Sequence, residues 1–330
     1  MDLRLLGNVL IQADHRTIDL ERSAERCVLA TLAFSPGHPV RVDTLIDNIW
    51  GDRRPNKAEQ TVASYARAVR RAIEEAGGQR GWLLNRRPRA YELHVIPAAV
   101  DYHRFTALLA TGRAKTRNGN HHEAILGYQQ ALHLWRADPL ANVNGDWADR
   151  RRHALRQERL DALCALFELQ LKTGDHEAVA SEATRLANEI VPTDRLITLA
   201  IQGLAHSGHA SMIPGFVSRA AERMWTAVQV RPGPHIDVLV RRLVRGTVAT
   251  DSNGWSEHLP FSPAEAMAVA VQADEDEAPE AVDPSVMASA RQVSADGIHG
   301  GQAWQSSITM TAMFSKNVYQ AAGDQYITET

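Results

Sequence analysis

A mainly α protein with a small β component is what this 330-residue sequence predicts. Three observations carry that reading. Residues 98–245 place apolar side chains at helical spacing almost without a break. The stretch before them alternates short apolar runs, turn signals and amphipathic segments. From Thr250 onward both patterns stop and the chain turns acidic and Ala/Pro-rich. The expected divisions are 1–97, 98–249, 250–303 and 304–330.

The first stretch, "LRLLGNVLIQADHRTIDL", reads as two or three small antiparallel strands. In "ERSAERCVLATLAFSPG", Ala24, Cys27, Val28 and Leu32 share one helical face, and Pro36-Gly37 ends the run. "VRVDTLIDNIWG" predicts a second short helix. Asp43 is its expected N-cap, Leu45, Ile46, Ile49 and Trp50 its buried side, and Gly51 its stop. A third helix runs through "PNKAEQTVASYARAVRRAIEEAGG", with Asn56 and Glu59 as an expected capping box. Val62, Ala66, Val69 and Ile73 form its apolar stripe. Gln60, Ser64, Arg67 and Arg71 form an opposite stripe that is positive and rich in donors. "GWLLNRRPRAYELHV" then gives a strand, an Arg-rich turn and a second strand.

Strands, three helices and a basic hairpin in this order describe a winged helix-turn-helix. The charge distribution agrees. The formal net charge is only −3, yet Arg53 to Arg89 holds 10 basic residues against 3 acidic ones. Residues 251–330 hold 2 against 12. A helix with Arg and Gln on its free face fits the major groove of double-stranded DNA, where those side chains can pair with base edges. Arg86, Arg87 and Arg89 on the wing would meet phosphates or a narrow minor groove. Lys57, Thr61 and Arg70 complete the candidate DNA-contact set on the third helix. A solvated basic face would explain the helical stripe alone; the basic hairpin behind it points to DNA.

"VDTLIDNIWGDRRPNKAEQTVASYARAVRRAI" and "NRRPRAYEL" resemble the OmpR/PhoB-type winged helix of the Streptomyces antibiotic regulatory proteins, the SARP family. Two positions depart from the family pattern. Ala68 stands where the family commonly has Arg, and Arg67 lies one residue earlier, a turn of roughly 100° around the helix. Arg89-Ala90 stands before Tyr91 where the family usually has Gly-Gly. A left-handed position is costly for any residue but glycine, so the wing turn is expected to take another shape.

The middle block reads as an irregular stack of helical hairpins, similar to tetratricopeptide (TPR-like) repeats but of longer period. "TRNGNHHEAILGYQQAL" and "LKTGDHEAVASEATRLA" share a Gly-containing turn, a His-Glu-Ala step and an amphipathic helix. "VDYHRF", "ALHLWRADPLANV", "RLDALCALFELQLKTGDHEAV" and "VPTDRLITLAIQGLAHSGH" resemble the bacterial transcriptional activation domain of the same family. Pro214-Gly215 is expected to interrupt the helix that follows. The resemblance implies a transcriptional activator that dimerises on promoter direct repeats, contacts RNA polymerase and controls secondary metabolism or a similar cluster. His121-His122 lacks a further ligand at i+4 and reads as a solvated turn, and Trp135 and Trp147 read as core anchors.

No P-loop, HExxH, GxSxG or dinucleotide fingerprint occurs, so no enzyme, cofactor or metal is expected. No apolar run approaches the ~18 residues of a membrane span. "MDLRLLGNVLIQADH" lacks the features of a secretory signal, and no phosphoacceptor domain is expected ahead of the strands. Cys27 and Cys164 sit among apolar residues, which argues against a disulfide framework. The expected location is the cytoplasm, on the nucleoid.

Residues 250–303 read as a disordered acidic linker, with a transient helix at 263–272 and a capacity to compete with DNA for the basic face. Residues 304–330 are β-prone and nearly uncharged. "NVYQAAGDQYIT" resembles the Gln-Ala-Gly-Asp-Gln motifs of bacterial amyloid signalling sequences. Three readings stand side by side: homotypic or partner cross-β contact through 304–330, docking on the helical domain, and no partner. With the first, the chain becomes an interaction or assembly protein whose DNA-binding part is the output.

Overall fold

A computed structural model of the chain describes residues 1–13, 16–86 and 89–248. The readings for 250–303 and 304–330 lie outside the described residues. All described residues belong to one compact unit.

The chain opens with β1 (Asp2–Arg4), β2 (Leu10–Ala13) and β3 (Arg16–Ile18), an antiparallel meander in that order. Then come α1 (Ser23–Ala33), β4 (Val40–Arg41), α2 (Val42–Trp50) and α3 (Ala58–Glu75). A hairpin of β5 (Leu83–Arg86) and β6 (Ala90–Leu93) follows, and β4 pairs with β6 on its other edge. Strand β4 is too short to carry a period-2 signal, and the sequence reading merged it with α2. Past a 3-10 turn at Pro97–Ala99, the rest is helical: α4 (Asp101–Arg117), α5 (His121–His133), α6 (Asp146–Lys172), α7 (His176–Glu189), α8 (Asp194–His206), α9 (Ile213–Val228) and α10 (Pro234–Val248).

The apolar stripes explain the packing. Val62, Ala66, Val69 and Ile73 of α3 are buried together with Leu45 and Ile46 of α2. Helix α1 is covered on more than the one face its pattern predicts: Cys27 through Ala33 are all buried. It packs against α2, α3 and β6, and the residue that follows it, Phe34, is covered from beyond residue 97. Phe34 packs edge-on against Tyr102 of α4, with centroids 5.0 Å apart, and against Trp147 of α6 at 6.3 Å. The Arg151 guanidinium caps the Phe34 ring at 4.1 Å. One hydrophobic cluster therefore runs from Leu3 to Leu169. A second, built by the later helices, holds Phe167, Leu196, Phe216 and Ile236. Trp135 is buried against Phe105, with ring centroids 5.3 Å apart.

Polar contacts tie the amino-terminal meander to the helical block. The Asp101 carboxylate accepts from the backbone amides of Leu5 and Leu6 at 2.8 and 3.1 Å. The Asn142 side chain accepts from the Val9 amide at 2.7 Å and donates to its carbonyl at 3.1 Å. Arg26 donates through Nε to the Asn142 carbonyl at 2.8 Å.

Three helix starts differ from expectation. Helix α2 begins after Arg41, not after Asp43, because β4 runs directly into it; Asp43 sits in the first turn, 3.6 Å from Arg41. Helix α3 has Lys57 as its N-cap with no side-chain cap, so Asn56 and Glu59 form no capping box. A turn closed by the Ala58 amide on the Pro55 carbonyl sets that start, and the Glu59 carboxylate is engaged elsewhere. Pro214-Gly215 does not interrupt a helix either. Pro214 lies in the first turn of α9, where its missing N–H costs nothing.

Candidate nucleic-acid interface

Helix α3 and the β5–β6 hairpin frame the candidate surface. With its apolar stripe turned inward, α3 presents Gln60, Ser64, Arg67 and Arg71 to solvent. The Trp50 and Tyr65 rings meet at 6.1 Å and fix α2 against the back of α3. Arg70 is half-buried and donates through Nε and Nη2 to the Leu83 carbonyl at 3.2 and 3.0 Å. Its guanidinium thus anchors the start of β5 to α3.

The hairpin keeps the register Arg86↔Ala90, and Arg89 lies in the turn that leads into β6. Arg87 and Pro88 lie outside the described residues. Arg89 adopts a φ of 48°. The left-handed conformation is thus retained without glycine, rather than replaced by a differently shaped turn at this residue. Two contacts hold it there: the Arg89 carbonyl accepts from the Val42 amide at 2.9 Å, and its guanidinium pairs with Glu59 in the first turn of α3.

The described wing cations, Arg86 and Arg89, are paired within the protein. Arg86 donates through Nε to Glu92 at 2.6 Å, and its Nη2 lies 3.2 Å from His94 Nε2. The Arg86 hydrogen bond holds the Glu92 carboxyl below its usual value. Arg54 pairs in the same way with Asp47. Burial pushes the Tyr91 phenol above its ordinary value, against the pull of Arg70 and Arg67.

The sequence-derived candidates divide accordingly. Lys57, Gln60, Ser64, Arg67 and Arg71 are exposed, and among the described residues their side chains have no hydrogen-bond or ion-pair partner. The Thr61 hydroxyl is half-buried and donates back to the Lys57 carbonyl at 3.0 Å. Arg70, Arg86 and Arg89 are engaged within the protein. Arg53, exposed in the turn between α2 and α3, joins the first group. Sequence reasoning counted it in the basic cluster but not among the contacts. The sequence pattern marks Glu59 only as a cap; an acidic residue inside a basic run is the signal that it has a cationic partner.

Two family models match this chain. "Transcriptional regulatory protein, C terminal" matches residues 15–93, and "Bacterial transcriptional activator domain" matches 100–243. Regulatory protein DnrI of Streptomyces peucetius is 26% identical over 260 residues, covering 77% of this chain and 96% of that one. Transcriptional regulatory protein EmbR of Mycobacterium tuberculosis is 26% identical over 246 residues, 74% of this chain and 63% of that one. Regulatory protein AfsR of Streptomyces griseus is 26% identical over 227 residues, and only 22% of its length is spanned. The solved structure of Mycobacterium tuberculosis EmbR in complex with a low affinity phosphopeptide shares the fold, with a TM-score of 0.69 at 24% identity over 83% of this chain and 70% of that one.

A winged helix followed by a bacterial transcriptional activator domain defines a transcriptional regulator, not an enzyme. Within that class, the two matched domains and the relatives support a SARP-type regulator. Among the described residues, no helix is long and apolar enough to cross a membrane.

Proposed function

We propose that this regulator is a transcriptional activator that binds double-stranded DNA through α3 and the β5–β6 wing. The observation that carries the reading is the open face of α3. Gln60, Ser64, Arg67 and Arg71 stand clear of the protein with their donors free. A helix face of that kind can enter the major groove, where Arg pairs with guanine and Gln with adenine. Lys57 and Arg53 at its amino-terminal end would meet phosphates. The wing supplies position, with Arg87 as its remaining candidate for phosphate or minor-groove contact.

Residues 1–97 would thus supply the DNA contact and 98–249 the activation function. The chain would act as a homodimer on promoter direct repeats and recruit RNA polymerase. It would do so in the cytoplasm, at the nucleoid, on genes of secondary metabolism or a similar cluster. The two matched domains and the named regulators support the transcriptional part of this reading.

The test is retention of a duplex selected by the full chain from a random-sequence library. Arg67→Ala and Arg71→Ala should each weaken binding of that duplex, by about 1–3 kcal/mol for a base contact. If the full chain retains no duplex at about 0.1 M salt, the reading fails; nonspecific binding alone already survives such salt at micromolar protein. Footprinting on the selected site should protect two directly repeated half-sites. Purified polymerase should initiate more often there when the protein is present.

A further inference from the structure

We propose that Arg89 is a positioning residue, a clasp that ties the wing to the first turn of α3 through Glu59, and does not touch DNA itself. The inference rests on the proposed DNA reading and refines which residues carry it.

Arg89 and Glu59 lie thirty positions apart and come from the two elements that would enter neighbouring grooves. Both side chains are more than half exposed, at 57% and 58%, on the candidate surface. Arg89 takes a left-handed φ of 48°, a conformation that a bulky residue adopts only when the surroundings hold it. Its carbonyl is fixed by the Val42 amide, and its guanidinium turns back onto α3. The charge arrangement argues the same way. Glu59 stands between Lys57 and Gln60, where an unpaired carboxylate would face the phosphates and be repelled. Arg89 cancels that charge and fixes the separation between wing and helix. That separation sets which minor-groove step the wing reaches once α3 is seated. Arg70 on Leu83 secures the base of the hairpin; Arg89 secures its tip. Specificity then depends on a protein–protein ion pair that no base contacts.

The test compares the wild-type full chain with Arg89→Glu, Glu59→Arg and the exchanged double variant. Two probes are used: a duplex selected by the wild type, and a random-sequence duplex. Melting curves of each variant establish that the fold is retained. A clasp predicts that Arg89→Glu lowers the selected-to-random affinity ratio about two- to fivefold, the range of an exposed pair. The exchanged pair should restore both the ratio and the wild-type salt slope, since the net charge is unchanged. A phosphate contact by Arg89 predicts instead that the exchanged pair is as weak as Arg89→Glu and loses about one unit of salt slope. That result overturns the proposal, and so does an Arg89→Glu variant with the wild-type ratio. Loss of all duplex retention by the wild type would sink the DNA reading itself, which is a separate outcome.

Discussion

The Asp101 carboxylate and the Leu5 backbone amide are 96 residues apart in sequence and 2.8 Å apart in space. Asp101 is 3% exposed and also holds the Leu6 amide. Burial pushes its carboxyl above the usual value, while the amides and Arg104 pull the other way. Asp101→Ala strands two buried donors, each costing about 1–3 kcal/mol when left unpaired. The urea midpoint of the full chain should fall by an amount equivalent to roughly 2–4 kcal/mol. A midpoint within error of wild type would show that the meander does not depend on this carboxylate.

The sequence places Arg70 among the DNA contacts, yet its donors reach the Leu83 carbonyl. Arg70→Ala should therefore cost stability on the order of 1.5 kcal/mol, the loss of a charged hydrogen bond. It should leave the salt slope of DNA binding close to wild type. Arg71→Ala should do the reverse, holding the melting temperature while the slope drops by about 0.9. Equal slopes for the two variants would remove the distinction.

Much of this was legible because helices announce themselves by local spacing. The stripe Val62, Ala66, Val69 and Ile73 fixed which side of α3 faces inward, and hence which side is free. The hairpin was legible from the Arg-rich turn between two apolar runs. What stayed hidden is non-local. Nothing in the sequence pairs Arg89 with Glu59, Arg86 with Glu92, or Asp101 with Leu5, since those contacts exist only once the elements are packed. The burial of α1 around more than one face was hidden for the same reason: it packs against α2, α3 and β6 only once these are assembled, and the rings that cover Phe34 at its end, Tyr102 and Trp147, lie on later helices. Arg67 and Arg89 shared a charge pattern, but only packing separates a free cation from a spent one.

Gly203 marks a close approach of α7 and α8. A Cβ there would stand 2.7 Å from the Ala180 amide nitrogen and 2.9 Å from its Cα, both backbone atoms that cannot swing aside. Gly203→Ala should destabilise the helical block by about 1–3 kcal/mol, as overpacking does. Gly127 provides the contrast. Its added Cβ would meet Gly112 Cα at an ordinary 3.6 Å, so Gly127→Ala should be neutral or gain up to ~1 kcal/mol in helix propensity. Thermal melts of both variants decide the point; a Gly203→Ala protein as stable as wild type would mean that the two helices separate without cost.

About one turn along the same helix pair from Ala180 and Gly203, the His176 and His206 rings stack with centroids 4.9 Å apart and planes 26° from parallel. His176 Nδ1 is buried without a partner among the described residues, and Glu177 lies 3.8 Å from His209 beside them. Burial first, and then His176, hold His206 below the ordinary imidazole value of 6.5. His103 moves in the same direction through burial, although the Ala33 carbonyl opposes it. For both groups the unfolded chain takes up a proton more readily than the folded one. Their stabilising effect is complete above the unfolded value and is lost as pH falls through it toward the folded value. The melting temperature should therefore decline between about pH 7.5 and pH 5.5, before most carboxylates titrate. His206→Gln cannot take up that proton and should flatten part of the decline, and His103→Gln another part. A wild-type melting temperature that is level across this window, or a His206→Gln profile as steep as wild type, would remove the stacked pair as a source of acid sensitivity.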